Sequence, residues 1–192
     1  MFYQMDNKKE KIMKILIASD IHGSAYYCEK LISAIERENP DKILLLGDIL
    51  YHGPRNDLPK GYAPKEVIAM LSPLKDKLLC VRGNCDTEVD QMVLPFPVLA
   101  EYAYVVSEKV NIFATHGHIF NEENLPPLSE GDVLLNGHTH IPKCTEHEGY
   151  IYMNPGSVSI PKENSEHSYM TFEDTEFLWK NLDGEVYKTY TL

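Results

Sequence analysis

No apolar run in this 192-residue chain approaches the roughly 20 residues that a membrane-spanning helix needs. The nearest candidate, residues 12–18, is interrupted by Lys14 and stopped by Asp20. It is too short for the apolar core of a secretory leader, so the sequence predicts a cytoplasmic protein with no membrane partner. Cysteine is sparse: Cys28, Cys80, Cys85 and Cys144 lie far apart and form no Cys-x-x-Cys pair. That excludes a disulfide framework and a thiolate zinc site as first readings. Basic charge is in deficit, 18 Lys and Arg against 29 Asp and Glu, for a net charge of −11. A surface that acidic repels phosphate backbones and argues against a general nucleic-acid binder, while leaving room for a site that recruits cations. Internal repeats and a dividing linker are both missing. With 43% hydrophobic and 24% charged residues the chain is neither disordered nor low in complexity. Residues 1–12 are expected to form a loosely docked charged extension, and 13–192 a single domain.

What is present is a rhythm of strands and helices. Residues 14–18 and 42–46, KILIA and KILLL, are short apolar runs of the kind found in strands buried on both faces. Between them residues 24–38 place Tyr27, Cys28, Leu31, Ile32 and Ile35 at helical spacing, with Ser24 as N-cap and Asn39-Pro40 as the stop. Pro64 suits the first turn of a helix over 64–71, and 78–81 reads as a third strand. This β-α-β-α-β order predicts parallel strands joined by right-handed crossovers. The second half predicts antiparallel strands at 102–106, 110–115, 133–136, 144–147, 150–153, 176–181 and 185–190, with Glu148-Gly149 and Asp183-Gly184 as hairpin turns. Parallel units succeeded by hairpins suggest an α/β protein with two sheets packed face to face and helices outside.

The informative residues stand immediately after the strands. In order these are Ser19-Asp20-Ile21-His22-Gly23, Gly47-Asp48, Arg82-Gly83-Asn84-Cys85-Asp86, His116-Gly117-His118 and Gly137-His138-Thr139-His140. The carboxyl ends of strands in α/β sheets line the binding crevice. Asp20, His22, Asp48, Asn84, His116, His138 and His140 are therefore expected around one crevice. Carboxylate, imidazole and amide oxygen suit borderline divalent ions, and burying such a set without a cation is costly. The Asp-x-His and His-x-His spacings predict paired ligands on one side of an extended segment. Each piece alone has a plain structural explanation, a helix cap or a surface histidine; the ordered set does not.

These blocks resemble the ordered motifs of the calcineurin-like metallophosphoesterases. The segments GDILYHGPRNDLPKGYAP, RGNCDTEVDQM, THGH and NPGSVSIPK are similar to a bacterial phosphodiesterase type within that family, and the likeness covers about 13–162. It implies a four-layer α/β/β/α sandwich of two mixed β-sheets. It also implies two divalent ions, manganese first, with zinc, iron or nickel as alternatives. Asp20, His22 and His140 would hold one ion, Asn84, His116 and His138 the other, and Asp48 would bridge them. The implied reaction is hydrolysis of a small phosphodiester by a metal-bridging hydroxide, with no protein nucleophile. Asp48, Cys85 and Asp86 form the expected catalytic set, Asp86 by orienting a neighbour through a hydrogen bond.

Two positions depart from the family pattern. Cys85 stands where the Gly-Asn-His block has its histidine; a thiol is a weak donor, which implies a changed substrate preference. Tyr51 stands where many members place the second aspartate of Gly-Asp-x-x-Asp. The long loop over 49–63 offers Arg55 as a fork onto phosphate and Asn56 as a positioning group, with solvated loop residues as the equal alternative. His118 is a substrate contact or an outer hydrogen-bonding group. Asn154-Pro155-Gly156-Ser157 reads as a rigid turn beside the site. Phe177, Trp179, Tyr187 and Tyr190 fit either core packing or the interface of a homo-oligomer. Two other functions compete: a phosphomonoesterase with the same centre, and a non-catalytic protein-binding scaffold like the retromer subunit of this fold.

Overall fold

The first strand, β1 (Lys14–Ala18), is buried on both faces because it lies between two hydrophobic layers. Ile15 and Ile17 point into one, Leu16 and Ala18 into the other, which is why its sequence runs apolar without alternation. The computed structural model describes residues 12–192, so the expected extension lies, except for Ile12, outside the described residues.

Parallel to β1 run β2 (Lys42–Leu45) and β3 (Leu78–Cys80), connected through α1 (Ala25–Glu38) and α2 (Pro64–Leu71). The Ser24 Oγ caps α1 by accepting the Tyr27 N–H at 3.2 Å, and Asn39 ends it in the left-handed region at φ 44°. Helix α1 buries Cys28, Leu31, Ala34 and Ile35 against Leu16, Ala18, Ile43 and Leu45 of the strands. Each large apolar side chain so buried contributes about 2 kcal/mol. A short helix, α3 (Glu88–Val93), comes after β3. The apolar pattern predicts no helix here, although the Thr87/Asp90 capping box marks its start.

The second half builds β4 (Ala103–Val106), β5 (Asn111–Ala114), β6 (Asp132–Leu135), β7 (Lys143–His147), β8 (Tyr150–Asn154), β9 (Ser168–Glu173), β10 (Glu176–Asn181) and β11 (Val186–Thr191). Six strands form one sheet in the order β11-β10-β9-β1-β2-β3, and five form the other, β4-β5-β6-β8-β7. The hairpins β4–β5, β7–β8 and β10–β11 are antiparallel as the turns predict. The expectation of purely antiparallel pairing is corrected at β5–β6 and β6–β8, which are parallel. Their crossovers are irregular chain or a hairpin strand, so no helical pattern announces them. Strand β9, which joins the two halves beside β1, is likewise absent from the sequence-based expectation. It is buried on both faces with Ser168 and Thr171 inside, so it shows neither alternation nor an apolar run.

Between the sheets pack Ile15, Leu44, Ile112, Leu135, Met153, Phe172 and Trp179. Phe177 and Trp179 are fully buried there, which settles them as core; Tyr187 remains exposed and the Tyr190 hydroxyl donates to Glu146 at 2.9 Å. Helices α1 and α2 cover the outer face of the larger sheet. Phe120 and Leu128, from the irregular 116–131 segment, cover Phe113, Leu134 and Tyr152 on the outer face of the smaller one. The result is a layered α/β sandwich of two mixed sheets. It brings the carboxyl ends of β1, β2, β3, β5 and β6 to one edge.

Candidate metal centre

At that edge the backbone is unusual. Asp20 (φ 60°), His22 (49°), Asp48 (54°), His138 (64°) and His140 (63°) all sit in the left-handed region. Non-glycine residues visit it rarely, at about 1–3 kcal/mol each. The extended geometry expected for Asp-x-His and His-x-His is thus corrected: the paired side chains reach one site through tight turns. Surrounding bonds hold these turns. His22 N–H donates to the Asp48 carbonyl (2.8 Å), and both Ser157 Oγ and Ser159 Oγ donate to the Asp20 carbonyl (2.9 Å each). Asn154 Nδ2 donates to the Gly137 carbonyl at 2.7 Å. The NPGSVSIPK segment is therefore a brace for the site, a role its sequence did not disclose. A side chain at Gly83 would strike the Asp48 carboxylate, and one at Gly137 would strike the Ser19 hydroxyl.

The imidazoles are fixed from behind. Nδ1 of His22 lies 2.8 Å from the Tyr51 carbonyl, Nδ1 of His116 2.6 Å from that of Leu46, and Nδ1 of His140 2.6 Å from that of Ile160. A carbonyl only accepts, so each Nδ1 carries a proton and Nε2 is the atom each ring turns into the site. This also accounts for Tyr51, which serves the site through its backbone.

Seven donors converge. The His140 Nε2 lies 3.2 Å from Asp20 Oδ1, and His22 Nε2 lies 3.6 Å from the same oxygen and 3.3 Å from His140 Nε2. Asp48 Oδ2 is 3.6 Å from His22 Nε2 and 3.5 Å from His116 Nε2. His116 Nε2 is in turn 3.1 Å from Asn84 Oδ1 and 3.2 Å from His138 Nδ1. Asp48 thus stands between one trio and the other. Asp20, His22, Asp48, His116 and His140 are buried, whereas His138 is half-buried and Asn84 exposed at the mouth.

The first trio is crowded: two Nε2 atoms face each other and Asp20 Oδ1, a buried oxygen with no hydrogen-bond partner among the described residues unless an imidazole is protonated. Such a set is stable only around a cation or after protonation. The electrostatics express the same demand. Burial alone would lower His116, but the Asp48 and Asp20 carboxylates and the Leu46 carbonyl outweigh it and push it up to about 9. Burial and neighbouring His116 lower His138 to about 4. Burial opposes the charge on Asp20, yet His140 and His22 hold it well below the usual carboxylate range. Three overlapping groups among the described residues, Asp20 with His22 and His140, Asp20 with Asp48 and His116, and His22 with Asp48 and Cys85, could each hold a metal ion, and their oxygen and imidazole atoms suit a divalent one.

Asp86 orients its neighbours through hydrogen bonds. It is buried and accepts three backbone N–H bonds, from Asp48 (2.7 Å), Gly83 (2.8 Å) and Ile49 (2.9 Å). It is a positioning residue. Cys85 donates its backbone N–H to Asp48 Oδ1 at 2.8 Å, and its thiol, 3.3 Å from Asn84 Nδ2, lines the cleft. Burial and the adjacent Asp48 carboxylate push that thiol far up, so it stays neutral. Arg55 and Asn56 line the same cavity of about 380 Å³, together with Thr139, between His138 and His140, and Lys162, the last residue of NPGSVSIPK, to neither of which the sequence assigns a role. Asn56 Nδ2 donates to the His52 carbonyl at 2.9 Å. His118 is not among the residues lining this cavity. It stands half-buried against the His116 and His138 rings (centroids 5.4 and 6.2 Å).

Residues 13–176 match the calcineurin-like phosphoesterase superfamily domain. The phosphodiesterase YfcE of Escherichia coli strain K12 is 48% identical over 158 residues, which cover 82% of this chain and 86% of the relative. The probable metallophosphoesterase YsnB of Bacillus subtilis is 25% identical over 164 residues, 82% of each chain. The solved structure of YfcE, described as a phosphoesterase from E. coli, superposes with a TM-score of 0.90 at 43% identity, over 93% of this chain and 99% of that one. Vps29 of Chaetomium thermophilum superposes at 0.60 with 18% identity, over 93% and 98%; that likeness is one of fold.

Proposed function

Because the chain belongs to the calcineurin-like phosphoesterase superfamily, we propose that it is a metal-dependent phosphoric diester hydrolase with a dinuclear centre, acting on a small phosphodiester. The observation that carries the reading is the buried cluster of Asp20 Oδ1, His22 Nε2 and His140 Nε2, joined through Asp48 to a second group. Asp20, His22 and His140 hold one ion, and Asn84, His116 and His138 the other. Asp48 is shared. Two such ions, manganese first by the family resemblance, would supply Lewis acidity toward phosphoryl oxygens and lower the pKa of water to near neutral. The chain's own residues do the rest. Tyr51, Leu46 and Ile160 carbonyls keep the imidazoles in the ligating tautomer. Asp86 sets the Asp48 backbone. Arg55 and Asn56 bind the substrate from the cleft wall. Cys85 gives that wall a neutral, weakly donating face. Residues 13–192 act as one catalytic domain, in the cytoplasm. No helix among the described residues is long and apolar enough to cross a membrane.

The test strips metal with a chelator and restores manganese, zinc, nickel or magnesium singly. Hydrolysis of bis-p-nitrophenyl phosphate is then compared with that of p-nitrophenyl phosphate. Metal-dependent turnover favouring the diester is expected. Undiminished turnover in metal-free protein would overturn the reading, and preference for the monoester would turn it into a phosphomonoesterase. A scaffold of this fold would hydrolyse neither.

A further inference from the structure

Two cations share the cleft beyond what a phosphodiester needs. If the centre is dinuclear as proposed, two divalent ions set against the Asp20 and Asp48 carboxylates already exceed the single negative charge of a diester. Yet Arg55, from the loop before α2, and Lys162, from the loop between β8 and β9, both line the cavity. Among the described residues neither side chain has an ion pair or a hydrogen bond. Lys14, Lys30, Lys143 and Lys180 are matched with carboxylates, whereas Lys65, Lys75 and Lys109 are, among the described residues, unpaired like the two here but line no part of this cleft.

Nor is Lys162 an ordinary surface lysine on a loose loop. Its N–H donates to the His140 carbonyl at 3.2 Å, and its carbonyl accepts Ser165 N–H (3.0 Å) and Ser165 Oγ (2.6 Å). The next two residues, Glu163 (φ 55°) and Asn164 (φ 57°), are both left-handed, which closes a tight turn. Two positions earlier, the Ile160 carbonyl fixes the His140 ring. The backbone of Lys162 is thus set in register with a residue of the site itself.

We propose that Lys162 and Arg55 form a cationic rim that reads a second phosphate on the substrate, so that the preferred diester carries a terminal phosphate on one arm. A guanidinium fork and an ammonium together match the two charges of a phosphate monoester. The inference rests on the hydrolase reading above and narrows its substrate class.

The experiment uses metal-loaded full-length protein and two esters, p-nitrophenyl butyl phosphate and the same ester with a terminal phosphate on the butyl arm. Nitrophenol release reports cleavage of the diester in both. Wild type is expected to show a KM about tenfold lower for the phosphorylated ester, the size of one charge-assisted contact at a wet cleft mouth. In Lys162→Met that preference collapses toward one, and Lys162→Arg restores most of it. Equal KM values in wild type, or a preference that survives Lys162→Met, would overturn the proposal. Calorimetry with butane bisphosphate and butyl phosphate gives the same comparison without turnover. A bisphosphate preference lost in Lys162→Met supports the rim even if neither ester is cleaved, in which case the hydrolase reading alone fails. No bisphosphate preference overturns the rim even in an active enzyme.

Discussion

Asp86 holds Asp48 in place by its backbone: the carboxylate accepts the Asp48 N–H at 2.7 Å, while Asp48 itself is left-handed at φ 54°. The same carboxylate takes N–H groups from Gly83 and Ile49, so it ties the end of β2 to the end of β3. Asp86→Asn keeps the shape but sets an amide N–H₂ against backbone N–H groups. It should cost about 1–3 kcal/mol of stability and about 10–100-fold in metal affinity. Thermal melts with a calorimetric manganese titration check both. A fall in Tm with unchanged metal affinity would show that Asp86 serves the fold and not the centre.

Gly83→Ala should be worse for the centre than for the fold. Its new methyl group meets the Asp48 carboxylate and backbone nitrogen, both buried. Asp48 must move, and with it the group proposed to be shared by both ions. Metal content after dialysis, measured by elemental analysis, should fall below one ion per chain. Retention of two would contradict the placement of Asp48.

Much of this site is legible without the fold, for a physical reason. Polar residues after buried strands have few stable places to be, so Asp20, Asp48, Asn84, His116 and His138 announce a shared edge. The left-handed turns at Asp20, His22, His138 and His140 leave no such trace, because tertiary bonds from Ser157, Ser159 and Asn154 impose them. Lys162 ends the NPGSVSIPK segment, yet its role is hidden for a similar reason: its place in the cleft comes from a bond to the His140 carbonyl. Strand β9 escapes because a strand buried on both sides can carry Ser168 and Thr171 inward once its neighbours satisfy them.

The neutral Cys85 thiol is a poor proton donor for a departing oxygen at the position where it stands. Rates should therefore fall steeply as the leaving group becomes more basic, from nitrophenyl through phenyl to alkyl esters. Cys85→His should flatten that dependence, since imidazole donates near neutral pH. The wall near Gly53 is close to the thiol, so the bulkier ring is also expected to raise KM by displacing the Gly53–Asn56 turn. A slope of rate against leaving-group pKa unchanged by Cys85→His would remove Cys85 from any account of selectivity.

Glu38, at the end of α1, joins the helix to the large sheet. Its carboxylate receives Lys14 Nζ (2.7 Å), Lys180 Nζ (2.8 Å) and the Tyr169 hydroxyl (2.8 Å). Burial alone would raise its pKa, but these three donors outweigh burial and hold it at about 2, below the ordinary 4.5. A lowered folded-state value means the charged form is favoured in the native protein, so its contribution is complete above about pH 4.5 and disappears as pH falls toward 2. Glu38→Gln should then cost about 2 kcal/mol at neutral pH, because two ammonium groups lose their partner. The gap between variant and wild type should narrow as acid protonates Glu38, even though the carboxylates of the metal centre destabilise both proteins together at low pH. Trp179 is the only tryptophan and is fully buried with its Nε1–H on the Asn154 carbonyl (2.7 Å), so its fluorescence reports unfolding of both proteins alike. A stability difference that stayed constant from neutral pH to pH 3 would mean that the ion pairs of Glu38 contribute nothing and that only its packing matters.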